Sequence, residues 1–428
     1  MNIRHRCVEI LQRILEEKIF FNGLKAEIEE KNLPFANMLI LTALRHLVTL
    51  KQILHKFLNK KIPDKNKKVY YALLLGATEI LYMDTPDYAA INEYVNIARK
   101  VSDKYAAGMV NAVLRRVAAD KDNLNTAFGN KIFPEAFKQI LQKDYSAAEI
   151  ARLEESAKAE PALDISVKSN PEELVLKLNG VLFANGTIRL KELKSKVSEL
   201  YGFKEGLWWV QDLAASMPVN LLGDVKNKKA LDLCAAPGGK TAQLLSKGAK
   251  VTAVDIDEER MARLRQNIKR LQLKQNLTTV TADGLEFLQN SSEHFDIIVL
   301  DAPCSATGTF RRHPEVLHLK TADDVNKQLG IQAQMLNVAA AKLASGGLIL
   351  YCTCSAAKAE GENQITKFLQ SHADFKLRAF DLRDVNKFNG KMFDAEIIDK
   401  GVLRTLSYYM QNDGGMDVFF AACLQKSA

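Results

Sequence analysis

From residue 228 onward, short apolar runs alternate with helical patterns, and few folds accommodate that alternation. The runs are KALDLC, KVTAVDI, LTTVTA, FDIIVL and GGLILYC. Between them lie TAQLLSKG, EERMARLRQNIKRLQ, LEFL and VNKQLGIQAQMLNVAAAKLA, and DVFFAACLQ reads as a last strand. Strands that are apolar throughout are buried on both faces, which calls for helices above and below a parallel sheet. Residues 223–428 are therefore expected to form an α/β doubly wound, Rossmann-like domain. Ligands of such sheets lie beyond the carboxyl ends of the strands.

The front of the chain lacks strand patterns. VEILQRILEEKI, ANMLILTALRHLVTLKQILHKFLNK, KKVYYALLLGATEILYM and YAAINEYVNIARKV carry apolar residues at three- and four-residue spacing, the mark of amphipathic helices. Pro34, Pro63 and Pro86 fall between or at the edges of these segments, where proline is tolerated. Residues 1–125 are expected to be all-α, 126–144 a linker, and 145–222 a small α+β module. Within that module Trp208 and Trp209 read as a buried aromatic pair, the alternative being a stacking surface for bases. With 428 residues the chain has room for such a division.

No apolar run approaches the roughly 18 residues of a membrane span, and the N-terminus reads as an amphipathic helix rather than a signal peptide. A cytoplasmic protein is expected. Six cysteines in a chain this long do not make a disulfide framework. Cys7 and Cys423 read as packing residues, while Cys234, Cys304, Cys352 and Cys354 fall at or near the ends of apolar runs. The net charge of +8 is modest. Residues 1–120 hold 19 Lys and Arg against 13 Asp and Glu, which leans weakly toward a polyanionic partner.

The strand tips carry the chemistry. The first ends in Cys234-Ala235-Ala236-Pro237-Gly238-Gly239-Lys240, the second in Asp255, the third in Asp283 and the fourth in Asp301. The fifth runs into Cys352-Thr353-Cys354. Gly238 and Gly239 let backbone approach a ligand, yet the spacing is neither a dinucleotide nor a phosphate-loop fingerprint. A carboxylate at 255 suits a ribose diol, and acids at the next two tips would repel phosphates. They suit a ligand with an adenine amino group, an ammonium and a sulfonium, which is S-adenosylmethionine.

Cys304 and Cys354 should face one cleft, because the fourth and fifth strands are neighbours in such a sheet. A metal site is disfavoured: C-x-C plus one distant thiol lacks zinc spacing, and the histidine nearest in sequence, His313, is nine residues from Cys304. Buried packing is the plain reading of Cys352. For the other two, nucleophilic catalysis fits. Carbon 5 of cytosine is a poor nucleophile until a thiolate adds at carbon 6, and the job needs a thiol, an acidic partner and a second proton-handling group. Cys304, Cys354 and Asp301 supply them, though chemistry alone does not rank the thiols. Arg311 and Arg312 are candidates for favouring the thiolate or contacting RNA phosphate.

LDLCAAPGGKT, AVDID, TADG, DAPCSATGTFRRHPEV and YCTCS match in order and spacing the RNA cytosine-5 methyltransferases, and YYALLLGATEILYMDTPDYAAINEYVNIARKVSDKYAAGMVNAVLRRV is similar to a NusB-type RNA-binding domain. Taken together, the chain resembles the bacterial 16S ribosomal RNA enzymes of the cytosine-967 type. The resemblance implies a class I methyltransferase domain, Cys354 as nucleophile and Cys304 as the group that assists release. It further implies that Asp301 contacts both cofactor and cytosine, and that Cys234 to Lys240, Asp255 and Asp283 hold the donor. A monomer acting on ribosomal RNA without metal is expected. Ala306 stands where the family usually has glycine, AAKAEGENQI replaces a Pro-Glu-Glu-Asn segment, and GGMDVFF departs slightly from Gly-Asp-Gly-Phe-Phe. Two other classes stay open: a non-catalytic RNA-binding scaffold, and a DNA cytosine-5 methyltransferase that uses Cys304.

Overall fold

The computed structural model describes residues 2–58, 60–102, 104–129, 131–190 and 195–428. They form two compact units. One spans residues 1–142, 146–159 and 310–321; the other spans 143–145, 160–309 and 322–428.

The first unit is helical. Its principal helices are Ile3–Glu17, Leu33–Arg45, Leu47–Phe57, Lys67–Tyr82, Asp87–Val101 and Lys104–Ala119. Lys67–Tyr82 reads KKVYYALLLGATEILY, apolar all round, and Leu73, Leu74, Leu75, Ala77 and Ile80 are wholly buried. A helix apolar on every face belongs in the centre of a bundle. Gly76 brings it close to a neighbour: a Cβ there would lie 2.7 Å from Leu114 Cδ1. The one acid in that helix, Glu79, is fully buried and accepts from Arg4 Nη2 at 2.8 Å and from the Tyr94 hydroxyl at 2.5 Å. Pro34 falls in the first turn of its helix, and Pro86 is an N-cap.

The helices go on past residue 125. Lys121–Phe128 and Glu135–Leu141 occupy much of the stretch read as a linker, and Ala147–Ser156 opens on a capping box between Ser146 and Glu149. Residues 310–321 return to this unit although they follow Cys304 in sequence. Phe310 is the reason: it is 1% exposed and lies edge-on to Phe133 and Phe137, with ring centroids 5.1 and 6.0 Å away. Among the described residues, no single helix is long and apolar enough to cross a membrane.

The second unit holds two sheets. The smaller contains β1 (Leu163–Val167), β2 (Gly180–Leu182), β3 (Ile188–Leu190) and β4 (Trp208–Val210), antiparallel in the order β2-β3-β1-β4. Trp208 and Trp209 are buried. Their indole N–H groups donate to Tyr201 O at 2.8 Å and Gln211 Oε1 at 2.9 Å. The pair is core rather than a stacking platform.

The larger sheet contains β5 (Lys229–Leu233), β6 (Lys250–Asp255), β7 (Leu277–Thr281), β8 (Phe295–Asp301) and β9 (Leu343–Thr353). It also contains β10 (Phe375–Leu377), β11 (Ile398–Asp399), β12 (Val402–Thr405) and β13 (Phe419–Lys426). The order is β11-β12-β13-β9-β8-β5-β6-β7, with β10 pairing β13. Strands β5 to β9 are parallel, as the alternation of strands and helices required, and β13 joins antiparallel to β9. The chain order reverses beside β5, between β6 and β8, which puts the ligand crevice at the ends of those strands.

Candidate active site

Strands β8 and β9 pair so that Asp301 lies opposite Cys352. Cys304 is three residues past the first and Cys354 two residues past the second, so register alone brings the thiols to the same edge. Their sulfurs are 3.5 Å apart. Both residues are half-buried, and neither is in a disulfide. The Cys304 thiol is held well above its ordinary value, first by its hydrogen bond with Cys354, then by burial. Cys352 is fully buried among apolar neighbours, and burial raises its thiol too.

A cation stands beside the thiol edge. Lys240 Nζ donates to Asp301 Oδ2 at 2.7 Å. The lysine is 7% exposed and the aspartate side chain 35%, so the pair is reached from one side. Burial is the largest influence on Lys240 and opposes its charge, but the charge and hydrogen bond of Asp301, with Cys352 and Asp232, together hold the ammonium protonated.

The loop after β5 is shaped by unusual backbone. Cys234 has φ 57°, Ala236–Pro237 is cis, and Gly238 has φ 100°, a region that suits glycine. The Cys234 thiol is pushed up to about 12 by burial, then by the charges of Asp301 and Asp255. Asp255 is buried and accepts from Ala236 N at 3.0 Å and Asp257 N at 3.1 Å, which ties the second strand tip to the loop. Asp283 is exposed and caps the next helix through Leu285 N and Glu286 N. A cavity of about 470 Å³ opens under the loop, lined by Trp209, Gln211, Pro237, Lys240, Arg270 and Asp301.

Two residues here went unnoticed in the sequence. Ile256 follows Asp255 and is 68% exposed, an apolar surface offered at a strand tip. Gly308 donates from its N–H to Cys354 O at 2.9 Å, and a Cβ there would stand 2.2 Å from Val418 O. No side chain fits at that position. The apolar residue after a strand-tip acid was a readable signal; the need for glycine at 308 was not, because it depends on Val418, just before β13.

Ala306, the expected departure, has φ 57°, where a Cβ costs energy and glycine would not. Arg311 and Arg312 were the arginine candidates. Both fall in the helical unit, where Arg311 is 2% exposed and its carbonyl accepts from Arg45 Nη2 at 2.8 Å. A guanidinium this buried is poorly placed to meet a phosphate; Arg312 is half-buried. Among the described residues no group of three His, Cys, Asp or Glu side chains converges as a metal site.

Residues 219–425 match the model of the 16S rRNA methyltransferase RsmB/F family, and residues 1–119 match the NusB family. The probable ribosomal RNA small subunit methyltransferase B of Coxiella burnetii is 31% identical over 396 residues, covering 88% of this chain and 92% of that one. Ribosomal RNA small subunit methyltransferase B of Citrobacter koseri is 32% identical with the same coverage. The crystal structure of PH0851 superposes with a TM-score of 0.76 at 21% identity, covering 99% of each chain. A methyltransferase homolog protein from Pyrococcus horikoshii gives 0.52 at 25% identity, covering 68% of this chain and 99% of that one. The α/β unit with its paired thiols, the NusB-like helices and the near full-length likeness to these relatives agree, and the chain belongs to the RsmB/F family of 16S ribosomal RNA methyltransferases.

Proposed function

We propose that this enzyme transfers a methyl group from S-adenosylmethionine to carbon 5 of a cytosine in 16S ribosomal RNA, through a transient bond between Cys354 Sγ and carbon 6. The observation that carries the reading is the pair of sulfurs 3.5 Å apart beside the Lys240–Asp301 ion pair.

The family's methyl donor is S-adenosylmethionine, which supplies an electrophilic methyl group. The residues present fit it. Gly238 and Gly239 line the cavity under the loop, Asp255 is fixed at the tip of β6, and Ile256 would offer an apolar face to the adenine ring. Cys234 to Lys240 would line the methionine end and Asp283 the adenine end. Asp301 would reach both donor and base.

On the RNA side, the target base must leave its stack to reach a recessed thiol. The Cys354 thiolate adds at carbon 6, and the electron density this delivers to carbon 5 makes that atom nucleophilic. The addition builds negative charge on the base, which the Lys240 ammonium, anchored by Asp301, relieves. After methylation the carbon 5 proton leaves, the carbon 5–carbon 6 double bond re-forms and Cys354 departs. Cys304, adjacent and holding its proton, gives that proton to the departing sulfur and takes the one from carbon 5. The NusB-like helices and the module of β1–β4 would grip the RNA, and the enzyme would work as a cytoplasmic monomer.

One incubation tests the assignment. RNA carrying 5-fluorocytosine, whose carbon 5 cannot release a proton after methylation, should trap a covalent adduct with wild type and with Cys304→Ala. Cys354→Ala should trap none. An adduct with Cys354→Ala sinks the assignment.

A further inference from the structure

Both thiols are followed by a serine, and both serines end on one carboxylate. Ser305 Oγ and Ser355 Oγ each donate to Glu360 Oε2 at 2.5 Å. Ser305 N donates to Oε1 at 2.8 Å, and Gln332 Nε2 donates to Oε1 at 3.0 Å. Glu360 is 0% exposed and stands in a short turn, Lys358–Glu360, just beyond the end of β9. Four donors fill the four acceptor sites of an ionised carboxylate. We propose that Glu360 is a positioning residue that fixes the spacing of Cys304 and Cys354 by gripping the residue after each, and that its charge assigns the two sulfurs different roles. The proposal rests on the reading of the thiols given above.

The grip is reinforced on each side. Gln332 Nε2 also donates to Pro303 O at 2.9 Å, and Thr307 Oγ1 lies 3.0 Å from Ser305 Oγ and 3.1 Å from Ser355 Oγ. The Tyr351 hydroxyl donates to Glu360 O at 2.9 Å, and Arg404 Nη1 donates to Ser355 O at 2.8 Å. Beyond the backbone bond from Gly308 N to Cys354 O, the loop after β8 and the turn after β9 are joined by these side chains, which help to hold their register. A supporting shell that is slack by an ångström is enough to lose a reacting geometry. The carboxylate also acts by charge: its negative field adds to the hydrogen bond and burial that disfavour a thiolate at Cys304. The resting enzyme thus keeps a proton on the sulfur that is to handle protons. The AAKAEGENQI stretch, a departure from the family's usual segment, still delivers the carboxylate.

Phenylarsine oxide tests the spacing without RNA or methyl donor, because it closes one ring on two neighbouring thiols with loss of one water. Wild type should take one equivalent at this pair, and Cys304→Ala or Cys354→Ala none there. Glu360→Gln should capture it about tenfold more slowly, and so should Glu360→Asp, which keeps the charge but shortens the reach. Iodoacetamide labelling of Cys304 in a Cys354→Ala background, read by peptide mass spectrometry against pH, tests the charge. Glu360→Gln should lower the labelling midpoint by about one pH unit, while Glu360→Asp leaves it in place. A merely structural role would not separate the two variants. Wild-type capture and an unmoved midpoint in folded Glu360→Gln overturn the proposal. If that variant does not fold, Ser355→Ala takes its place, and capture at the wild-type rate overturns the clamp. A wild type that takes the arsenical but transfers no methyl group would defeat the functional reading and leave the clamp standing.

Discussion

Ala306 sits between Cys304 and Gly308 with φ 57°. An L-residue pays about 1–2 kcal/mol to hold that conformation, and glycine pays about 0.5–1 kcal/mol in lost chain entropy instead. Thr309 N donates to Ala306 O at 3.0 Å, so the turn itself is sound. Ala306→Gly is expected to stabilise the α/β unit by up to about 1 kcal/mol, visible as a higher urea midpoint, with methyl transfer retained. The residue types at this edge were readable because chemistry restricts them: thiols, acids and a lysine at strand tips are costly there without a use. Glu360 was not readable. Its role depends on two serines that are near each other only after β8 and β9 pair, and serine after cysteine carries no signal of its own.

Among the elements, the small sheet of β1–β4 depends on one buried ion pair. Arg189 Nε and Nη2 donate to Asp164 Oδ1 at 2.6 Å and Oδ2 at 2.8 Å, with side-chain exposures of 5% and 0%. Leu213 N donates to Asp164 Oδ2 at 3.1 Å, and Arg189 Nη1 reaches Asp413 O at 2.6 Å, so the pair ties β1 and β3 to loops far along the chain. Removing one partner leaves a buried charge uncompensated. Asp164→Ala is expected to cost about 3–5 kcal/mol, measured by denaturant unfolding, and Asp164→Leu with Arg189→Met considerably less. This sheet was only dimly visible in the sequence because its strands are three to five residues long and show little period. The large sheet was plain because continuous apolar runs admit few other folds.

For the whole molecule, two buried groups give the two units opposite responses to pH. In the α/β unit, burial pushes Asp232 up to about 7 against its hydrogen bond from Thr241. The unfolded chain releases that proton near pH 4, so this contribution to stability is complete in acid and lost as pH rises from about 4 to 7. In the helical unit, burial lowers His318 to about 4 although Leu44 O lies 2.7 Å from Nε2. An unfolded histidine takes its proton near pH 6.5, so this contribution is complete above that value and lost as pH falls toward 4. Each slope is at most about 1.4 kcal/mol per pH unit. Thermal unfolding followed from about pH 4 to 8 should show the first trend flattened in Asp232→Asn and the second in His318→Gln. His318 belongs to a segment that follows Cys304 in sequence yet packs with the helices, and Arg311 of the same segment is buried. By itself the sequence determined the fold class, the strand tips and the chemistry that stands on them, because periodicity and residue type are local properties. Only the tertiary structure decided which neighbours those groups have: the 3.5 Å between the sulfurs, the carboxylate behind them, and the unit that claims residues 310–321. Those depend on burial and contact between residues far apart in the chain, which no stretch of sequence encodes alone.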